Sequence, residues 1–232
     1  MGAGAPSNVA TDTWAVVVAA GDGARFGGRK QFADVAGRPV VAMSVQAARS
    51  VASGVVLVVP SSSTETEIDS FSAQCTLCAD DQIVRGGSTR AASVRAGLEA
   101  VPADIAFVVV HDAARPLASP RLFEAVIRAV RDGADAAVPG LRVADTLKRG
   151  DADLVVSTVS RDDLVSVQTP QAFRAEVLRR AHAGQTEATD DAALVESLGA
   201  TVRVVPGETS NLKLTDPGDL QVIEALASQL VR

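Results

Sequence analysis

The stretch Val16-Val17-Val18-Ala19-Ala20-Gly21-Asp22-Gly23-Ala24-Arg25-Phe26-Gly27-Gly28-Arg29-Lys30 decides how this chain is read. Its opening residues, with Trp14 and Ala15 before them, make a short apolar run of the kind that forms a buried strand. The run empties into a glycine-rich loop that carries the cations Arg25 and Lys30. Glycines let backbone N–H groups converge on an anion with no Cβ in the way. The cations supply the charge that neutralises it. A polyphosphate, and hence a nucleotide, is the first expectation; a glycine-rich turn with no ligand is the plainer reading of the same residues.

Two better-known glycine motifs do not fit. A dinucleotide fingerprint needs G-x-G-x-x-G, and Gly21 and Gly23 are followed by Phe26 at the third position. The next apolar run, residues 55–59, leads into Pro60 with no ribose-binding acid at its end. A Walker A loop needs Lys-Ser or Lys-Thr after its last glycine; Gly23 and Gly28 have the spacing, but Arg29 and Lys30 follow.

The 232 residues bound one large α/β domain or two small ones. With 47% apolar residues and a formal net charge of −6, the chain can bury a core and lacks the basic character of a nucleic-acid binder. It has no Tyr and few other aromatics, which argues against a surface for stacking single strands. Residues 1–13 read as a disordered leader and 14–232 as a single domain. No basic residue precedes Arg25, so neither a secretory signal nor a transit peptide is indicated. No apolar run approaches membrane-spanning length, and a cytoplasmic location is expected. Cys75 and Cys78 form C-x-x-C, but the two His residues, His111 and His182, are distant in sequence. Reduced structural thiols are expected, ahead of a zinc or redox site.

Strand-like and helical patterns alternate. Strands are expected at 14–19, 55–59, 83–84 and 105–110, and helices at 39–51, 61–73, 88–101 and 119–131. Ser119 caps the last of these, with Pro120 at its first position. This order argues for a mostly parallel sheet with helices on both faces. The rhythm breaks after Ala136. Extended segments at 138–148 and 154–161, joined through Arg149-Gly150-Asp151-Ala152-Asp153, read as a hairpin. It is expected to project as an arm over about 138–165. An exposed edge invites a second chain, so a dimer through the arm and a plain surface hairpin both stay open. Helices are then expected at 170–183, 190–198 behind Thr189 as cap, and 216–230, with strands at 201–205 and 211–214.

Open α/β sheets bind ligands at the carboxyl ends of their strands, and several polar motifs fall there. Gly86-Gly87-Ser88-Thr89-Arg90 follows a strand and opens a helix; its backbone can read the edge of a base, with Ser93 one turn on. His111-Asp112-Ala113-Ala114-Arg115-Pro116 follows the most apolar strand. Its acid suits ribose hydroxyls or a metal, and Arg115 offers a planar fork for phosphate. Asn211-Leu212-Lys213 adds a third cation. Singly, Asp112 could cap a turn, Arg115 could pair on the surface, and Ser93 could be an ordinary early-helix residue. His111 reads as structural, since no nucleophile accompanies it.

Taken in order, Ala-Ala-Gly-x-Gly-x-Arg (19–25), Gly-Gly-x-x-Arg-x-x-Ser (86–93), His-Asp-Ala-Ala-Arg-Pro (111–116), Asp-Thr-Leu-Lys (145–148), Gln-Thr-Pro-Gln (168–171), Thr-Asp-Asp-Ala (189–192) and Asn-Leu-Lys-Leu-Thr (211–215) form a specific set. From residue 14 to residue 230 the chain resembles the 2-C-methyl-D-erythritol 4-phosphate cytidylyltransferases of non-mevalonate isoprenoid biosynthesis. The resemblance implies a Rossmann-like nucleotidyltransferase fold whose β-arm completes a homodimer. It implies transfer of CMP from CTP to methylerythritol phosphate, with release of pyrophosphate and with Mg²⁺ held mainly by the CTP phosphates. Ala19, Ala20, Gly21, Gly87, Ser88 and Ser93 would hold the nucleotide and its cytosine, and Asp112 and Ala113 would contact the ribose side. Arg25, Lys30 and Lys213 would surround the triphosphate as the catalytic cations. Arg115, Thr146, Arg161, Thr169 and Thr189 would face methylerythritol phosphate, with Arg161 reaching in from a partner subunit. The chain departs from the family in Val18 and Arg29, where Pro is common, in a short loop before Lys30, and in Ser88, where some relatives carry Asp. A ribitol 5-phosphate cytidylyltransferase is the nearest alternative. A sugar-1-phosphate nucleotidyltransferase and a non-catalytic nucleotide sensor are more distant ones.

Overall fold

A computed structural model of the chain describes residues 10–21, 23, 26–184, 188 and 190–230. The first strand, β1 (Ala10–Val18), begins inside the segment expected to be a leader, because Ala10 pairs with Ala52 of the neighbouring strand. After the glycine loop come a 3-10 turn (Lys30–Phe32) and two short strands, β2 (Asp34–Val35) and β3 (Arg38–Pro39). Then follow α1 (Val40–Arg49), β4 (Ala52–Val59), α2 (Glu65–Cys75), β5 (Gln82–Arg85), α3 (Arg90–Ala100), β6 (Phe107–Asp112) and α4 (Pro120–Arg131). The second half runs β7 (Ala136–Arg142), β8 (Leu147–Asp151), β9 (Leu154–Val159), β10 (Val165–Val167), β11 (Gln171–Arg174), α5 (Ala175–His182), α6 (Asp191–Ser197), β12 (Val202–Pro206) and α7 (Pro217–Leu230).

The main sheet has eight strands in the order β10-β7-β11-β6-β1-β4-β5, with β12 also on β7. Strands β6, β1, β4 and β5 run parallel. Their side chains alternate between the two faces, as a strand covered on both sides requires. Ala15, Val17, Val55 and Leu57 pack on the side of α1, α2 and α4, while Trp14, Val16, Val56 and Val58 pack on the side of α3, α5 and α6. A third, smaller cluster lies under α7, around Val35, Leu117, Leu214 and Ile223. No described helix is long and apolar enough to cross a membrane.

Four local expectations are corrected. Residues 170–183 do not form one helix: Gln171–Arg174 is a strand, antiparallel between β6 and β7. The open backbone edge of β6 imposes the extended form on a segment with no strand-like period of its own. Residues 211–214 are not a strand; they form an irregular segment, tied to the body in part through the Leu214 N–H on the Ala114 carbonyl at 2.8 Å. The arm is shorter than expected, since β7 and β10 belong to the main sheet and, of the arm's strands, β8 and β9 alone form a separate two-stranded ribbon. Finally, Asp190 caps α6, accepting from the Ala193 N–H at 3.0 Å; Thr189 lies outside the described residues. Cys75 is buried, Cys78 is exposed, and both are free thiols.

Candidate active site

Chain connections leave β1 toward β4 on one side and later return to β6 on its other side, so the carboxyl end of β1 is a switch point of the sheet. Three bonds draw the strand ends together there: the Ala19 N–H to the Val58 carbonyl, the Gly86 N–H to the Val59 carbonyl, and the Ala113 N–H to the Val18 carbonyl. The glycine loop folds back on itself. The Gly23 carbonyl accepts from the N–H groups of Phe26 at 2.9 Å and Gly27 at 3.1 Å. Gly23 has φ +65°, and a Cβ there would lie 1.8 Å from the Gly28 oxygen, so only glycine fits. The loop is anchored through Arg29, whose guanidinium donates to Glu67 at 2.9 Å and to Ser62 at 2.8 Å.

The facing wall is Gly86-Gly87. A Cβ on Gly86 would meet Ser93 Oγ at 2.6 Å and Ala20 Cβ at 2.7 Å; one on Gly87 would meet Ala92 Cβ at 2.5 Å. Ser93 Oγ accepts from the Gly87 N–H at 3.2 Å and donates to the Thr89 carbonyl at 2.9 Å. Thr89 in turn caps α3, accepting from the Ala92 N–H at 3.1 Å. Between the walls opens a cavity of about 320 Å³. Ala19, Ala20, Gly21, Gly87, Ser88, Ser93, Asp112 and Lys213 line it, so eight of the residues named from the sequence meet at one place.

Asp112 is the electrostatic centre. Its Oδ2 accepts from Lys213 Nζ at 2.6 Å and its Oδ1 from Arg90 Nε at 3.2 Å. Burial pushes its pKa up, but the charges of Arg90 and Lys213 outweigh that and hold it below the usual carboxylate range. Arg90 also donates through Nη1 to Asp191 at 2.7 Å, linking the cavity to the start of α6. Behind Asp112, Thr169 Oγ1 accepts from the Asp112 N–H at 3.0 Å and lies 3.1 Å from His111 Nδ1. His111 Nε2 lies 3.2 Å from the Arg115 carbonyl. A neutral ring protonated on Nε2 satisfies both contacts, with the hydroxyl donating to Nδ1. Burial lowers the His111 pKa to about 4, so this ring is neutral at neutral pH.

Comparisons with known proteins show the family of the chain. Residues 13–229 match the family model described as IspD: 2-C-methyl-D-erythritol 4-phosphate cytidylyltransferase. The chain belongs to this family. A curated cytidylyltransferase of that name from Frankia casuarinae is 44% identical over 219 residues, covering 93% of this chain and 81% of that protein. One from Streptomyces avermitilis is 43% identical over 238 residues, covering 97% and 95%. The crystal structure of 2-C-methyl-D-erythritol 4-phosphate cytidylyltransferase from Thermus thermophilus is 36% identical, with a TM-score of 0.77, over 92% of this chain and 98% of that one.

The other described residues named from the sequence do not line the cavity; Arg25 and Thr189 are not among the described residues. Lys30 stands on the 3-10 turn, where its charge helps to lower the pKa of Asp219 at the start of α7, behind the hydrogen bonds that carboxylate accepts from Asp216 and Thr215. Ala113 is buried with its carbonyl accepting from Ser44 Oγ at 2.9 Å. Arg115 donates to the Asn211 carbonyl at 2.8 Å. Asn211 Nδ2 donates to the Thr169 carbonyl at 2.9 Å, and Gln168 Nε2 to the Glu208 carbonyl at 2.8 Å. These bonds hold the segment that presents Lys213. Thr146 and Arg161 are exposed at the base of the ribbon, and the Arg161 guanidinium donates to the Ala144 carbonyl. Gln31 and Arg90 also line the cavity, and neither was assigned a role from the sequence. Arg90 ends the Gly86-Gly87-Ser88-Thr89-Arg90 motif; its bonds to Asp112 and Asp191 are what reveal it.

Proposed function

We propose that this cytidylyltransferase binds CTP in the cavity between Ala19–Gly21 and Gly86–Ser88 and transfers CMP to 2-C-methyl-D-erythritol 4-phosphate. The convergence of a glycine loop, a tight backbone wall, Asp112 and Lys213 on one cavity supports this reading. Ser93 and the Gly86-Gly87 backbone, where added side-chain bulk collides, suit a pyrimidine. Asp112 and Ala113 would face the ribose, and Lys213, Arg25 and Lys30 the triphosphate. Arg115, Thr146, Arg161, Thr169 and Thr189 would serve the methylerythritol phosphate.

The nucleophile is a phosphate monoester oxygen, whose second pKa is about 6, so it is largely ionised at neutral pH. No general base is needed, which suits a site whose buried His111 is turned to Thr169 and Arg115. A new bond forms from that oxygen to the α-phosphorus. The bond from the α-phosphorus to the bridging oxygen breaks, and pyrophosphate leaves. The barrier is repulsion between anions, so catalysis is positioning and charge neutralisation. Lys213 would stabilise charge gathering on the α-phosphate and the leaving group. Among the described residues, no group of three or more metal-ligating side chains occurs, and Asp112 is the single carboxylate lining the cavity. That donor set fits a Mg²⁺ held mostly by phosphate oxygens; when bound, the ion would neutralise part of the triphosphate charge.

The β8–β9 ribbon would complete a homodimer, carrying Arg161 toward a second copy's substrate. The exposed Leu154, Val155 and Val156 on β9 support that reading. Pyrophosphate release with CTP tests the assignment against the nearest alternative. Turnover is expected with methylerythritol phosphate and not with ATP in place of CTP. Faster turnover with ribitol 5-phosphate would overturn it.

A further inference from the structure

Gln31 lines the cavity, yet the reaction as described gives it no task. It is 3% exposed on the 3-10 turn beside Lys30. Its Nε2 lies 2.6 Å from the Ala19 carbonyl oxygen and 2.9 Å from the Gly21 carbonyl oxygen. A carboxamide nitrogen carries two N–H bonds, and both are engaged here. The turn that presents it is itself braced from α2 and its approach: Phe32 stacks on Phe71 with ring centroids 4.1 Å apart, and Arg29 pairs with Glu67. Gln31 is thus a rigidly held donor aimed at the backbone of the glycine loop.

The consequence is electrostatic. A peptide group is planar and trans, so its N–H edge points away from its carbonyl. Drawing two carbonyls onto one amide orients the loop's peptide groups and occupies two oxygens that would repel a polyphosphate if they faced it. A donor set oriented in advance does not have to reorganise when the ligand arrives. We propose that Gln31 is a positioning residue for the triphosphate, setting the loop of Ala19, Ala20 and Gly21 in its anion-binding form. This rests on the reading of the cavity as a CTP site and names what holds that site's phosphate end in shape.

The test compares CTP with cytidine, which has the base and ribose but no phosphate, in NMR titrations of wild type, Gln31→Met and Gln31→Glu. Met keeps the length without donors; Glu keeps the shape and replaces donors with an acceptor. In both variants the Kd for CTP is expected to rise at least about tenfold, as for a lost bond serving a charged group, while that for cytidine stays within about twofold. Unchanged CTP binding overturns the proposal. So does a parallel loss of CTP and cytidine, or failure of both variants to fold, since the amide would then serve the fold alone. A wild-type protein that does not bind CTP would sink the site assignment itself; variants that match a CTP-binding wild type would sink only the role of Gln31.

Discussion

Lys213 and Arg161 are both cations proposed for the reacting phosphates, yet they stand in opposite surroundings. Lys213 projects from an irregular segment that the buried side chains of Asn211 and Gln168, together with Arg115, bind to the body, and its ammonium rests on Asp112. Arg161 follows a ribbon whose strands, among the described residues, pair only with each other, and β9 leaves Leu154 75%, Val155 65% and Val156 61% exposed. An isolated two-stranded ribbon is marginal in water. The chain therefore places one cation by its own packing and carries the other beside an exposed ribbon.

That contrast can be broken at either end. The largest expected effect is on the placed cation. Lys213→Ala should lower kcat by about 10²–10³-fold, roughly 3–4 kcal/mol, with little change in KM, because the charge it meets grows in the transition state. Steady-state kinetics decide this, and an unchanged kcat would remove Lys213 from the chemistry.

The next effect concerns the rigidity under the cavity. His111 has a folded pKa of about 4 against 6.5 for the free side chain, so between those values the unfolded chain binds more protons. Its contribution is complete above pH 6.5 and is lost as pH falls toward 4. Stability measured by urea unfolding should drop across that window by up to about 3 kcal/mol from this group. His111→Gln should flatten that part of the curve; an identical pH dependence in the variant would mean that other groups cause the fall.

The smallest effect belongs to the ribbon. Arg161→Ala should raise KM for methylerythritol phosphate about tenfold, the scale of one hydrogen bond to a charged group, and leave KM for CTP unchanged. Weaker CTP binding in this variant would show that the two regions are not separate.

Much of the site was legible because strand ends carry it. The runs that became β1, β5 and β6 each stop at a polar motif, and a parallel sheet brings such stops to one edge. The start of α4 was legible for a local reason as well: Ser119 caps it through the Leu122 N–H, and Pro120 follows. What escaped were groups whose partners lie beyond their own secondary-structure element. Arg90 reads as a polar residue at the start of a helix until Asp112 and Asp191 close on it. Gln31 reads as nothing in particular until the loop returns beneath it.

By itself the sequence determined the alternation of strands and helices, the glycine-rich loop and the family, because burial patterns, caps and glycines act over a few residues. Only the tertiary structure decided that Gln171–Arg174 joins the sheet, that residues 211–214 do not, and that Lys213 rests on Asp112. The reason is physical: an unpaired strand edge and a buried carboxylate each demand a partner, and which segment answers depends on what the fold brings within reach.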